Sequence, residues 1–303
     1  MTVLLAFLLL TQTAQPAPQS PFAALISIYL ARDASGHSPT PDDISAMATL
    51  TPAPAPDAVR EAIPLLMKAL DNPDIPLHTF ALTALTGLQT PATPAAAQPT
   101  PLPGAPAAPL NYKPEISRLL APIIPQIATH LTEDSQPDRL LTATILGGFT
   151  PDPPPSVFPP LIAFLKRDDA ISPAGLAVVN ALLQLGITDD STAAITRYLR
   201  RPDQNSDSRT DLTDLIGSNP HQSQAINKAL LTYLDSDDNS LRARVILSLP
   251  QLDLAPDTFR DMQSYVLQLT ANTSENLQVI TAAKAVSPCW TAIKMTSGCP
   301  VYQ

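Results

Sequence analysis

A leucine that ends an apolar helical stripe recurs through most of this chain. From Leu131 onward the intervals between copies are 34, 34, 35 and 35 residues, and an earlier copy stands 61 residues before it. The leucines in chain order are Leu70, Leu131, Leu165, Leu199, Leu234 and Leu269. A large apolar residue precedes each of them by four positions: Leu66, Ile127, Leu161, Ile195, Leu230 and Tyr265. Residues four apart share one face of an α-helix, so each pair predicts a buried helix face.

A fixed period of this length is typical of stacked helical hairpins rather than of one globular core. The predicted fold class is therefore all-α: an α-solenoid, or superhelix, of about six antiparallel helical hairpins with a period of 34–35 residues. The predicted helix pairs are Asp57–Leu70 with Pro76–Leu88, Pro114–Leu131 with Pro137–Phe149, Pro155–Leu165 with Pro173–Leu185, Ser191–Leu199 with Asp211–Ile216, His221–Leu234 with Ser240–Leu252, and Pro256–Leu269 with Ser274–Val286.

Proline-rich stretches mark the segments that lie outside the hairpins. Residues 18–56 contain two short predicted helices and a Pro-rich connector, and residues 57–286 form the predicted repeat domain. Residues 90–113 interrupt that domain with a Pro/Ala-rich stretch. We expect a loop insertion there, because proline inside a helix costs about 3 kcal/mol. Residues 287–303 form the predicted C-terminal tail.

Three second-helix segments carry a recognisable motif. Residues 235–252 combine an acidic turn, the apolar–Arg step Leu241-Arg242 and an apolar helix. Residues 71–88 are similar, with His78 where arginine is usual, and residues 134–146 match more weakly. Over residues 57–286 the chain therefore resembles a HEAT-like (armadillo-type) helical repeat protein. The resemblance implies a non-enzymatic scaffold that binds a protein partner along its concave face.

The tetratricopeptide repeat shares the 34-residue period but not the other features of this sequence. Its Trp/Gly/Tyr signature is absent, and Trp290 is the single tryptophan in the chain. A HEAT-like repeat is therefore the better interpretation of the period.

The N-terminus predicts an export signal over residues 1–17. Val3–Leu10 is an apolar core of about eight residues, whereas a membrane-spanning helix needs about 20. Small residues follow at Ala14–Ala17, as at a signal-peptide cleavage site. No Lys or Arg precedes Val3, so the basic n-region is missing, and an upstream start codon or a buried first helix are the alternatives. We expect an exported protein, periplasmic or extracellular, without a membrane span after cleavage.

Both cysteines stand in the tail, at Cys289 and Cys299. In an oxidising compartment a pair at this spacing predicts a disulfide, and two free thiols are the alternative. Two cysteines without further ligands nearby fall short of the four ligands that a structural zinc site needs, so no metal is expected.

The charge distribution narrows the partner class. The net charge of −9 and a pI near 4.7 argue against nucleic acid, which rewards a basic surface. We call the periodic leucines the landmark leucines. Two of them are directly followed by a pair of cations, Lys166 with Arg167 and Arg200 with Arg201, at helix ends where cations complement the helix dipole. Their repeated position also predicts a possible basic ridge for an acidic partner. A basic partner of the acidic chain stays open as well.

No catalytic constellation emerges from the sequence. It contains neither a phosphate-binding Gly-rich loop nor a G-x-S-x-G elbow. The histidines fall in different repeats, at His37, His78, His130 and His221, and suggest structural or surface roles. The pairs Asp168-Asp169, Asp189-Asp190 and Asp237-Asp238 suit helix capping better than calcium, whose loops use a different spacing.

The sequence therefore predicts no catalytic, cofactor or metal site, and a non-enzymatic protein-interaction scaffold is the favoured function. A structural or regulatory accessory subunit of a cell-envelope assembly, tethered by the Pro-rich loop, is the alternative. An enzyme with an unrecognised site is the least favoured. The sequence indicates neither the partner's identity nor the oligomeric state.

Overall fold

The structure is a computed structural model that describes residues 20–33, 35–48, 54–72, 74–89, 113–133, 135–219 and 223–291. Throughout these residues the regular structure is helical, which confirms the all-α prediction. The α-helices are α1 Pro21–Asp33, α2 Pro41–Ala48, α3 Pro56–Leu70, α4 Ile75–Gln89, α5 Lys113–Leu120, α6 Ile124–Thr129, α7 Gln136–Gly147, α8 Phe158–Leu165, α9 Pro173–Leu185, α10 Asp189–Leu199, α11 Ser206–Gly217, α12 Gln224–Leu231, α13 Asn239–Ser248, α14 Pro256–Ala271 and α15 Leu277–Thr291.

Several predicted features lie outside the described residues. They are the export signal at 1–17, most of the insertion at 90–113, His221 and residues 292–303. The described part of the insertion is Lys113, which begins α5. Among the described residues, no helix combines the length and the apolar character that a membrane span requires.

Several helix boundaries differ from the prediction, and α11 begins at Ser206 rather than at Asp211. The predicted helix Pro114–Leu131 is broken by a 3₁₀ turn at 121–123, where Pro122 and Pro125 supply no backbone N–H for the α-helical ladder. Helix α12 ends in a 3₁₀ turn over 232–235. Helix α15 continues to Thr291, so the first residues of the predicted tail are helical.

The chain divides into two compact units, residues 1–123 and 124–303. In the first unit α1 packs on α3, α2 on α4, and α3 on both α4 and α5. The rings of Tyr29 and Phe80 meet there with centroids 4.5 Å apart. The Tyr29 hydroxyl also donates a hydrogen bond of 2.5 Å to Asp43, which ties α1 to α2.

In the second unit the helices pack in two successions. Helices α7, α9, α11, α13 and α15 each contact the next, and we call them the second-helix row. Helices α8, α10 and α12 form a parallel succession, the first-helix row. Contacts of α8 with α9, and of α14 with α15, join helices that follow each other in the chain.

The landmark leucines of the second unit lie in its core. Leu131, Leu165, Leu199, Leu234 and Leu269 are between 1% and 8% exposed. Their apolar partners four residues earlier are fully buried, except that Tyr265 is half-buried. Each fully buried leucine or isoleucine contributes about 1.5–3 kcal/mol to folding, so the periodic positions hold the helices together.

Hydroxyl and amide side chains start five helices of the second unit. Each accepts a hydrogen bond from a backbone N–H in the first turn, which stabilises a helix by about 0.5–2 kcal/mol. These N-caps are Ser135, Ser172, Thr188, Asn205 and Ser223.

Asp238 confirms the capping prediction, because its carboxylate accepts from the backbone N–H of Ser240 and Leu241. The other two acidic pairs act differently. Asp189 and Asp190 occupy the first turn of α10 but do not cap it, and residues 168–170 form a 3₁₀ turn.

Two buried tyrosines connect segments of the second unit that are 28 and 34 residues apart in the chain. The Tyr198 hydroxyl donates to the Ala170 carbonyl at 2.9 Å. The Tyr233 hydroxyl lies 2.7 Å from the Leu199 carbonyl and 3.1 Å from Gln204 Oε1. Burial raises the pKa of Tyr198 to about 12 and raises that of Tyr233 as well, so both phenols stay neutral and can donate. We call these contacts the tyrosine clamps.

Glycine at position 175 permits the first of these clamps. A Cβ on Gly175 would lie 1.9 Å from the Ala170 carbonyl oxygen and 2.5 Å from the Tyr198 hydroxyl. The clamp therefore depends on the absence of a side chain at the start of α9.

Candidate functional site

The four predicted ridge cations divide into two kinds. Arg167 donates two hydrogen bonds to Asp169, at 2.8 and 2.9 Å. Arg201 binds Asp203 at 2.7 and 3.1 Å and also donates to the backbone carbonyls of Arg167 and Asp168. These two guanidinium groups are already satisfied within the protein, and Arg201 connects the segments that follow α8 and α10.

The carboxylates respond to these pairs. The hydrogen bond from Arg167 lowers the pKa of Asp169 to about 2, and that from Arg201 lowers the pKa of Asp203. Lys166 and Arg200 remain exposed at the ends of α8 and α10. A ridge that binds an acidic partner stays a prediction that would rest mainly on these two side chains.

The described histidines differ in exposure. His37 is exposed, and His78 is half-buried on α4. His130 is buried, and its Nδ1 lies 2.7 Å from a carboxylate oxygen of Glu133. Cys289 is 9% exposed on α15, and Cys299 lies outside the described residues, so the disulfide stays a prediction.

A groove crosses α11, α13 and α15 on the surface of the second unit. One depression of about 450 Å³ lies between α13 and α15, and another of about 520 Å³ lies between α11 and α13. Arg244 and Leu247 line both, so the two depressions adjoin each other. We call this feature the α11–α13–α15 groove, and its defining residues are Asp214, Arg244, Leu247, Leu277, Thr281 and Ala285.

Short side chains open the groove between α13 and α15. Ala243 on α13 faces Ala282 and Ala285 on α15, where longer residues would fill the space. Leu277 stands at the start of α15 and is 76% exposed. Leu247 and Ala285 belong to the same lining, so Leu277 extends an apolar strip rather than standing alone.

The groove is crossed by one ion pair. Arg244 Nε lies 3.0 Å from Asp214 Oδ1, and both side chains are more than a third exposed. Burial in the groove wall raises the pKa of Asp214, while the Arg244 charge opposes that shift. Asp207 and Asp211 precede Asp214 at helical spacing and line a further depression of about 270 Å³ toward α9. The face of α11 beside the groove is therefore acidic, although Asp207 and Asp211 lie outside the groove lining.

The groove suits docking better than bond chemistry. Its hydroxyl groups belong to Thr210, Ser218, Ser240, Ser248 and Thr281, and its lining residues include no imidazole or thiol. The one carboxylate in the lining, Asp214, is held by Arg244 rather than directed at a hydroxyl. Nucleophilic catalysis needs a base within hydrogen-bond reach of the nucleophile, and none of these hydroxyls has one in the lining.

The sequence contains a signal for this site that the repeat analysis missed. The buried stripe of α15 is Val279, Ala283 and Val286, at helical spacing. Leu277 falls outside that stripe, so its exposure follows from register alone. An off-register leucine at the start of a repeat helix is a usable marker for a binding face.

Comparisons with known proteins are uninformative about family. No family model matches the chain, and no curated protein matches it. Among solved structures, two engineered proteins from a structural genomics consortium are similar. One is 12% identical over 90% of this chain and 99% of its own, with a TM-score of 0.30. The other is 14% identical over 89% of this chain and 78% of its own, with a TM-score of 0.34. At such TM-scores neither likeness carries an argument about arrangement.

Proposed function

We propose that this protein is an exported, non-enzymatic scaffold of HEAT-like repeats that binds a protein partner in the α11–α13–α15 groove. The observation that carries the proposal is the groove itself, with Leu277 exposed at its edge. A side chain of that size gains free energy when a partner removes it from water.

The architecture in the proposal is an α-solenoid of about six antiparallel hairpins. The 34–35-residue period and the two successions of helices in the second unit support it. In solenoids one helix row lines an extended binding surface, and the second-helix row has that role here. The groove crosses three consecutive members of this row.

A matched pair of leucine variants tests the site. The full chain and the variants Leu277→Asp and Leu267→Asp are used as baits in a crosslinking pull-down from the native host's envelope fraction, read by mass spectrometry. Leu267 is also exposed, at 45%, but lies on α14 outside the second-helix row. Circular dichroism establishes that each bait is folded.

We expect one reproducible, saturable partner with the wild type and with Leu267→Asp, and its loss with Leu277→Asp. Equal capture by all three folded baits would refute the groove as the binding site. A folded wild-type bait that captures nothing saturable would count against the scaffold function.

Export is the second part of the proposal and has its own test. The apolar segment Val3–Leu10 and the small residues before position 18 support a cleaved signal. N-terminal sequencing of the protein from the envelope fraction should give a first residue close to Ala17. An intact Met1 in the soluble cytosolic fraction would contradict export.

A further inference from the structure

We propose that the segment bound in the α11–α13–α15 groove is a basic amphipathic helix, with its Lys and Arg side chains over the acidic face of α11. This inference rests on the proposed scaffold function and adds the chemistry of the partner. It is carried by the shape of the groove, by its exposed apolar side chains and by the distribution of charge along its walls.

The surface favours a helix over an extended strand. An extended peptide gains its affinity by pairing with a free sheet edge, and the described residues contain no strand. A helix instead lays an apolar stripe into a groove, at an interaxial distance of about 8–10 Å. Ala243, Ala282 and Ala285 leave room for that approach, and Leu247 and Leu277 offer the apolar contact.

The carboxylates of α11 beside the groove favour a basic partner. Asp207, Asp211 and Asp214 lie on one face of α11 at spacings of four and three residues. Asp214 pairs with Arg244, whereas no ion pair joins Asp207 or Asp211 to another described residue. Arg244 is the one cation among the residues that line the groove.

The depression of about 270 Å³ between α9 and α11 extends this acidic face. Asp207 and Asp211 line it beside the hydroxyl of Ser172 and the amide of Asn205, so it offers acceptors to ammonium or guanidinium groups. The net charge of −9 adds a long-range attraction that accelerates encounter with a cationic segment. Apolar contact and acidic flank thus lie side by side, which is the pattern that a basic amphipathic helix complements.

The experiment uses two synthetic probes against the full-length protein. Both are fluorescently labelled amphipathic helices of about 18 residues, or five turns, with one leucine stripe. One probe carries lysines beside the stripe, and the other carries glutamates at the same positions. Fluorescence anisotropy should show the lysine probe binding at least about tenfold more tightly, with an advantage that shrinks as salt is added.

Charge-reversal variants place the probe on α11. The double variant Asp207→Lys/Asp211→Lys should weaken binding of the lysine probe about tenfold. The matched control is Asp257→Lys/Asp261→Lys on α14, which has the same spacing, the same change in net charge and exposed side chains. The control should change the affinity by less than about threefold.

Arg244→Ala gives a result with the opposite sign. Removing this cation frees Asp214, so the lysine probe should bind about threefold more tightly. Damage to the fold would weaken binding instead, and circular dichroism monitors it independently.

Three outcomes would overturn the inference: equal affinity for the two probes, an equal effect of the α14 control, or weaker binding by a folded Arg244→Ala variant. Failure of the scaffold function is distinguishable from these. A native partner whose capture depends on Leu277, but whose bound segment is not a basic helix, would refute the inference and leave the scaffold function supported. A lysine probe that binds as expected, without any native partner at Leu277, supports the surface chemistry and refutes the scaffold.

Discussion

Replacing Tyr233 with phenylalanine removes one hydroxyl and leaves two buried acceptors without their donor. Those acceptors are the Leu199 carbonyl at 2.7 Å and Gln204 Oε1 at 3.1 Å. Tyr233 and Gln204 are each 5% exposed, so water does not replace the lost bonds in the folded state. The single hydroxyl proton is shared between these two acceptors. Leaving a buried acceptor unsatisfied costs about 1–3 kcal/mol, so we expect a loss of roughly that size in the free energy of unfolding.

The same change at Tyr198 provides an internal scale. Its hydroxyl also donates one proton, to the Ala170 carbonyl, so Tyr198→Phe should cost a similar amount, roughly 1–3 kcal/mol. Thr144→Val is the control, because it exchanges a hydroxyl for a methyl group at an exposed position of α7, where the hydroxyl bonds only within its own helix. Substitutions of that kind stay within about 0.5 kcal/mol.

The assay is urea unfolding followed by far-UV circular dichroism, with hydrogen exchange to locate the loss of protection. Faster exchange is expected in α10 and α12, which the Tyr233 clamp joins. A Tyr233→Phe variant no less stable than Thr144→Val would refute the reasoning. So would loss of protection confined to the first unit.

Three further changes have expected signs. Gly175→Ala should cost about 3 kcal/mol or more, because its Cβ would overlap the Ala170 carbonyl and the Tyr198 hydroxyl. Gly186→Ala meets no atom within 4 Å and should cost about 1–2 kcal/mol, because the φ of Gly186 is +95°. Thermal denaturation of both variants measures the difference. Burial raises the pKa of Tyr198 from 10.0 to about 12, so the folded state alone keeps this phenol protonated between those values. The free energy of unfolding should therefore fall by roughly 1.4 kcal/mol for each unit by which the pH rises within this range. The fall should be smaller in Tyr198→Phe, and urea midpoints measured across the range test this. Asp169→Asn should cost about 1–2 kcal/mol near neutral pH by depriving the buried Arg139 of its carboxylate. Because the pKa of Asp169 is lowered from 3.8 to about 2, that difference should vanish in urea titrations as the pH falls through this range.

The core positions followed directly from the sequence. Leu131 and Leu234 are 1% and 8% exposed, as the periodic stripe predicts, because the spacing of apolar residues itself determines which helix face is buried. Helix starts could be predicted only in part, because one of the three acidic pairs supplies a cap. The capping role of Asp238, for example, depends on residues two and three positions away.

Contacts between repeats could not be derived in the same way. The partner of the Tyr233 hydroxyl is a carbonyl 34 residues earlier, and its position depends on how the chain leaves α10. A sequence signal existed, because Tyr198 and Tyr233 each stand directly before a landmark leucine. The expected ridge shows the same difficulty. Arg167 was placed by its helix end, while the carboxylate two residues later decides where its guanidinium points.

The groove depended on side-chain size rather than on pattern. Ala243 and Ala285 count as ordinary helix residues in a periodic analysis, and only the packing of α13 beside α15 makes their small volume visible as a depression. Leu277 alone departs from the register, so the sequence contains a pointer to the site but not its shape.

The tyrosine and arginine bonds between hairpins also bear on how such a chain grows. The bond from Tyr233 to Leu199 and the bond from Arg201 to Arg167 each span 34 residues, one full repeat. One repeat thus carries the donor for its predecessor and the acceptor for its successor. An in-frame duplication of that stretch of gene would copy the hydrogen-bond donor and the acceptor together. Ancestral arrays could therefore have gained or lost whole repeats without inventing a new interface.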